Sequence, residues 1–273
     1  MQTLLKSLRE SWKNFKIMKE KINNLILEKE EKDFLKRSLA CTGSFEKGIV
    51  GVYYYKMEGG KYYDSSVLSL CGDYLFLIRV ADNLIDGHFV KPLSKPYDFL
   101  KSIGENILGE EGFVPNEFGV KGAIEVAKLV GEELSSLPCW EESKSNFKDD
   151  FENFIKVWHN DENKNKKYEE RVKTGGLLQL TICDIVESFP DVLEEKREET
   201  RRIAYNSGII AQLIDDKIDG DKGVEKEKVD FFLRDYWKKL KEVNGFTTLV
   251  KIYTPLSRII STKFYRTTRN ILT

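Results

Sequence analysis

Two acidic clusters stand out by their spacing, Asp82-Asn83-Leu84-Ile85-Asp86 and Asp215-Asp216-Lys217-Ile218-Asp219. Each sets carboxylates at i and i+4 inside an otherwise apolar stretch, Ile78 to Ile85 in the first and Ile209 to Ile218 in the second. On a helix such side chains stack on one face. Stacked carboxylates on a buried face repel each other and lose hydration unless a cation neutralises them. Two such faces brought together make an oxygen-rich pocket suited to Mg²⁺, a hard ion that prefers carboxylates, water and phosphate oxygens. The candidate metal ligands are therefore Asp82, Asn83, Asp86, Asp215, Asp216 and Asp219, with Asn83 offering an amide oxygen. The second cluster extends back to Gln212, so Gln212, Asp215, Asp216 and Asp219 share one helical face. The competing readings are a solvated helix end for the first cluster and a salt-bridged surface face for the second. Acids at a helix C-terminus oppose the macrodipole, which favours a compensating cation at the first.

The elements that must position these residues read as helices, because apolar residues recur at helical spacing and only six prolines interrupt them. Leu4 to Ser38 reads as one long amphipathic helix with Leu8, Trp12, Phe15, Met18 and Ile22 on its stripe. Phe45 to Met57 follows and stops at Gly59-Gly60. Val67 to Ile85 is apolar almost throughout, which predicts burial on most sides and an end at Gly87, with Pro92 and Pro96 marking a loop. Further helices are expected over Ile124 to Leu137, Phe147 to Trp158, Thr174 to Ser188, Ile203 to Ile218, Phe231 to Val243 and Leu249 to Leu272. Asn160 to Tyr168 and Asp219 to Lys228 read as polar, charged connections. The expectation is an all-α fold with a single core over residues 1–273: an N-terminal helical segment, 1–38, and a catalytic core, 39–273.

Composition bounds the function classes. Lys and Arg number 44 against 45 Asp and Glu, so no polyanion-binding surface is indicated and nucleic acid is not an expected partner. No run of about 20 apolar residues is present, which predicts no transmembrane helix. Met1 to Ile22 lacks the apolar run of a secretory signal. Cys41, Cys71, Cys139 and Cys183 are scattered with no CxxC pair, which fits reduced thiols in a cytoplasmic protein. The two histidines, His88 and His159, read as surface residues.

At this point the residues acquire a resemblance. Gln212 with Asp215-Asp216-x-x-Asp219 resembles the second aspartate-rich motif of trans-prenyl diphosphate synthases. Asp82-Asn83-x-x-Asp86 resembles their first motif, with asparagine for the second aspartate. Lys173-Thr174-Gly175 resembles the Lys-Thr-(Gly/Ala) step that contacts the allylic diphosphate in that family. The stretch Tyr74 to Asp82 is also similar to the first motif region of squalene and phytoene synthases. These families share the class I isoprenoid synthase fold, and the resemblance covers roughly Ser66 to Lys222.

The resemblance implies a helical bundle with a central cavity between two aspartate-rich helices. It implies several Mg²⁺ ions bridging a prenyl diphosphate substrate, with Asp82, Asp86, Lys173 and Asp215 in the catalytic machinery. Substrate-binding roles fall to Arg79, Lys173, Thr174, Gln212 and Lys222, and to Arg266, whose pairing with Tyr265 is similar to an Arg-Tyr pair of terpene synthases. Plain readings stand beside these: Arg79 as an ion-pair partner of Asp82, Lys222 and Lys226 as part of a charged loop. Tyr53, Tyr54, Tyr55, Tyr74 and Phe76 line a prenyl pocket or simply pack the core. Gly59-Gly60-Lys61 is followed by Tyr62 where chain-elongating synthases carry Arg, and no Arg pair follows Asp86. Transfer of a prenyl cation to a prenyl acceptor is the activity expected. Cyclisation or proton loss by a class I terpene synthase is the alternative, and a catalytically weak partner subunit a third. A homodimer is a possible assembly.

Overall fold

The periodic apolar stretches fold as helices in the computed structural model, which describes residues 13, 15–41, 65–162, 172–219, 231–232 and 235. In chain order these are α1 (15–24), α2 (Lys29–Cys41), α3 (Ser65–Ile85), α4 (Pro96–Ile107), α5 (Val120–Ser135), α6 (Trp140–Glu162), α7 (Lys173–Glu187) and α8 (Glu194–Asp219). No strand occurs among the described residues, so the fold is all-α.

α3 is the central element. Val67, Cys71, Tyr74, Leu77, Val80, Ala81 and Leu84 are completely buried, as its near-continuous hydrophobicity predicts. It packs against α2, α5 and α7. Its C-terminus closes as expected: Gly87 adopts a left-handed φ of 73° and the His88 N–H donates to the Asn83 carbonyl at 2.9 Å.

α7 lies between α3 and α8 and runs antiparallel to both. Toward α8, Gly175 meets Gly208 at one end and Asp184 meets Arg201 at the other. Toward α3, the Tyr74 hydroxyl lies 2.8 Å from Thr181 Oγ1, and Cys71 lies within electrostatic reach of Cys183. The Thr181 hydroxyl donates to the Leu178 carbonyl, so Tyr74 is the donor of the interhelical bond. The C-terminus of α3, the N-terminus of α7 and the C-terminus of α8 therefore share one end of the bundle.

Several boundaries differ from the sequence reading. The helix expected over Leu4 to Ser38 breaks at residues 25–28 within its described part, with Ile26 91% exposed. The break is held locally: Leu25 N–H turns back to the Ile22 carbonyl, and Lys32 Nζ caps the end of α1 at the Asn23 carbonyl, 2.8 Å away. Glu30 and Glu31 then favour the positive N-terminus of α2. Pro96 opens α4 instead of marking a loop, because proline is well suited to the first helical position. α8 begins nine residues before Ile203, since Glu194 and Glu195 suit its N-terminus and Thr200 and Arg201 turn inward. The polar stretch at 160–162 continues α6.

The expected helices Phe45 to Met57 and Leu249 to Leu272 lie outside the described residues, as do most of Phe231 to Val243 and the loop at 220–228. So do Tyr53, Tyr54, Tyr55, Gly59-Gly60-Lys61, Lys222, Lys226, Tyr265 and Arg266. Among the described residues, no helix is long and apolar enough to cross a membrane.

Candidate active site

The first acidic cluster sits on the last turn of α3. The Asp86 N–H donates to the Asp82 carbonyl at 2.9 Å, so the helical register that stacks the two residues persists to Asp86. Asp82 is 30% exposed and Asp86 is 53% exposed, so both carboxylates reach water at the end of the bundle. Arg79 Nη1 pairs with Asp82 Oδ2 at 2.6 Å, one turn back on the same helix. His88 Nε2 lies 3.8 Å from Asp86 Oδ2, and His88 is exposed as expected.

Asn83 departs from the two carboxylates. It is buried, and its amide nitrogen donates to Ser38 Oγ of α2 at 3.0 Å. At 100° per residue Asn83 falls between the two acid positions in sequence but off their face. It is a packing residue of the α2–α3 contact.

The Lys-Thr-Gly step forms the first turn of α7. Lys173 is exposed, and the N-cap residue Val172 brings no side-chain acceptor. The Thr174 hydroxyl oxygen is buried with no hydrogen-bond partner. Gly175 crosses α8 where a β-carbon would collide with the Gly208 carbonyl oxygen and lie 3.0 Å from Gln212 Cβ. Gly208 is equally constrained by the Gly175 carbonyl, and Gly176 is covered by Tyr205. The two helices thus touch backbone to backbone, and this contact seats Lys173-Thr174-Gly175 against the α8 turn that begins at Gln212. Asp215, Asp216 and Asp219 follow on the same helix, and their side chains lie outside the described set.

The donors on α3 suit a hard divalent ion. Two carboxylates one turn apart and open to solvent leave room for the waters that Mg²⁺ retains. Among the described residues, no three His, Cys, Asp or Glu side chains are grouped for a metal. A full shell would therefore need carboxylates from α8 or the substrate.

Away from this end lies a cluster that the sequence reading missed. Arg201 of α8 pairs with Asp184 and with Asp150 of α6, and its Nη1 lies 3.4 Å from Glu187 Oε1. Asp184 and Glu187 are almost wholly enclosed. Burial drives the Asp184 carboxyl well above the ordinary carboxylate range; Arg201 opposes this, and Asp150 and Glu187 reinforce it. Glu187 is raised for the same first reason. The available signal was an ionisable residue inside the apolar run Ile182-Cys183-Asp184-Ile185-Val186. Tyr74 and Phe76 are likewise fully buried, with Tyr74 edge-on to Phe147, so both are core residues here.

No protein-family model matches the chain, and comparison with curated proteins finds no match. Among solved structures, the chain is similar to a geranylgeranyl pyrophosphate synthetase from the archaeon Geoglobus acetivorans. The two are 15% identical, with 94% of this chain and 90% of that one covered and a TM-score of 0.49.

Proposed function

We propose that this chain is a Mg²⁺-dependent isoprenoid synthase that ionises an allylic prenyl diphosphate and transfers the prenyl cation to a prenyl acceptor. The observation that carries the reading is the Gly175–Gly208 contact, which seats the Lys-Thr-Gly step on the helix turn leading to Asp215. The antiparallel packing of α7 against α3 and α8 supports it further, because the three motif-bearing helix ends then share one end of the bundle.

In this reading Asp82 and Asp86 hold metal from one side, and Asp215, Asp216 and Asp219 from the other. Bound there, the ions would supply positive charge to the departing diphosphate. Lys173 adds a cationic side chain at the positive end of α7, a natural place for an anion. The unpartnered Thr174 hydroxyl is available to the same oxygens, and Gln212 lines the adjacent turn. When the allylic carbon–oxygen bond breaks, its electron pair leaves with the diphosphate. The cation forms a carbon–carbon bond with the acceptor, and a proton is then lost. An apolar interior delays capture by water.

A terpene synthase remains the second reading, favoured by the stretch Gly87-His88-Phe89-Val90-Lys91, which carries no Arg pair after Asp86. Incubation with Mg²⁺ and geranyl, farnesyl or geranylgeranyl diphosphate, each with and without isopentenyl diphosphate, separates the outcomes by product mass. Longer prenyl alcohols after phosphatase treatment, formed only with isopentenyl diphosphate, mean chain elongation. Hydrocarbons or terpene alcohols without it mean cyclisation or condensation of two allylic substrates. No diphosphate release from any donor would sink both enzyme readings and leave the partner subunit.

A further inference from the structure

The buried ionic cluster at the other end of α7 and α8 has an unbalanced charge. Three carboxylates, Asp150 from α6 with Asp184 and Glu187 from α7, converge on Arg201 of α8. Arg197, one turn earlier on α8, acts on Glu187 as a second positive charge, and its Nε is buried without a hydrogen-bond partner. Among the described residues, the other groups acting on these carboxylates add no positive charge. Cys183 of α7 and Tyr74 and Cys71 of α3 are wholly buried, and burial holds each in its neutral form. Asp73 of α3 reaches Cys71 but is itself paired with Lys21. Three acids against two guanidinium groups leave one negative charge.

The geometry also says where that charge is least tolerable. Arg201 bonds only Oδ1 of Asp184; Oδ2 is buried with no hydrogen-bond partner, in a side chain with no exposed surface. A bare carboxylate oxygen in such a place costs far more than a neutral hydroxyl.

We propose that the Asp150–Asp184–Glu187–Arg201 cluster is a proton-holding clasp: one proton, seated on Asp184, completes it at neutral pH, and loss of that proton at alkaline pH unfastens α8 from α6 and α7. The proposal is independent of any catalytic role for the chain.

The sign follows from linkage. The native cluster keeps a proton that the unfolded chain has released above the ordinary carboxylate range. Stability is then fully present below that range and declines as pH rises, until the native group itself ionises. Across this window the folding equilibrium constant falls about tenfold per pH unit from this group alone. Asp184→Asn imitates the neutral acid and cannot ionise. Urea unfolding at a series of pH values should therefore give a wild-type curve that loses up to about tenfold more per pH unit than the variant's. Parallel curves overturn the proposal. If the variant does not fold, isotope-edited infrared spectra of wild-type protein carrying carboxyl-labelled aspartate decide the matter. A protonated aspartate band at neutral pH that disappears on alkaline titration, at a lower pH in Glu187→Gln than in wild type because a neighbouring negative charge is gone, or the band's loss where Asp184→Asn does fold, supports the clasp. Absence of the band, or a titration unmoved by Glu187→Gln, overturns it.

Discussion

Gly175 and Gly208 meet backbone to backbone, so that a β-carbon on either would run into the other's carbonyl oxygen. That contact fixes the depth at which α7 rests on α8, and with it the height of Lys173 relative to the Gln212 turn. Neither neighbour can swing aside, because both obstructing atoms are main chain.

Gly208→Ala should therefore destabilise the fold by about 1–3 kcal/mol, the usual range for overpacking a tight contact. On the proposed function it should also slow diphosphate release, since the helices can relieve the clash only by separating. Urea unfolding and a release assay on the folded fraction read the two effects separately. Full activity in a destabilised variant would break the link between this crossing and catalysis.

Asp82→Ala and Asp215→Ala should each reduce diphosphate release by on the order of a hundredfold or more, as expected when charge stabilisation of the leaving group is removed. Helical content by circular dichroism should be retained for Asp82→Ala, whose side chain reaches solvent. Chelation of Mg²⁺ in the wild type should reproduce the loss, and re-addition should restore it. Activity unaltered in both variants would rule out the enzyme readings.

Asn83→Asp separates a ligand from a packing residue. A ligand would gain Mg²⁺ affinity with the extra charge. The hydrogen bond to Ser38 instead implies a stability loss of about 1–3 kcal/mol, because a carboxylate is brought into a buried contact built for an amide. Titration of the variant with Mg²⁺ and its urea midpoint distinguish the two; tighter metal binding at unchanged stability would return Asn83 to the metal face.

Lys21 ties α1 to α3 and α5 through Asp73, at 2.7 Å, and Glu133. Burial pulls its ammonium down, but the two carboxylates outweigh that and hold it above the ordinary value of 10.5. Its contribution is thus complete below the unfolded-state value and is lost as pH rises through the higher folded value. Lys21→Met should cost about 3 kcal/mol at neutral pH, since it removes a cation that pairs with Asp73, a residue only 3% exposed. Unfolding curves for variant and wild type should converge only in the strongly alkaline range. Equal stability at neutral pH would show that the Lys21–Asp73 pair does not hold α1 in place.

The helices that bear the motifs were legible because a single physical signal sufficed. The run Val67 to Ile85 is too apolar to be anything but enclosed, and Gly87 announces its end. The stacking of Asp82 on Asp86 follows from spacing alone. For Asn83 the spacing is silent, because position within a motif does not reveal which neighbour a side chain faces; the approach of α2 brings its amide nitrogen to Ser38. α4 was missed because Pro96 was weighed as a breaker when it serves as a helix start. The Arg201 cluster unites residues from α6, α7 and α8, 51 positions apart at its widest pair, and no local pattern encodes such a meeting.

Two of the three segments assigned to the site belong to one hairpin, α7 and α8, joined by the short connection at 188–193. Contacts within such a hairpin span little chain and close at small entropic cost, whereas α3 must return across about a hundred residues to lay Tyr74 on Thr181, a separation of 107 positions. Contact order therefore predicts that the hairpin forms before α3 docks on it. Tyr74→Phe, which deletes only the docking bond, therefore slows refolding if that bond forms before the rate-limiting barrier and speeds unfolding if it forms after.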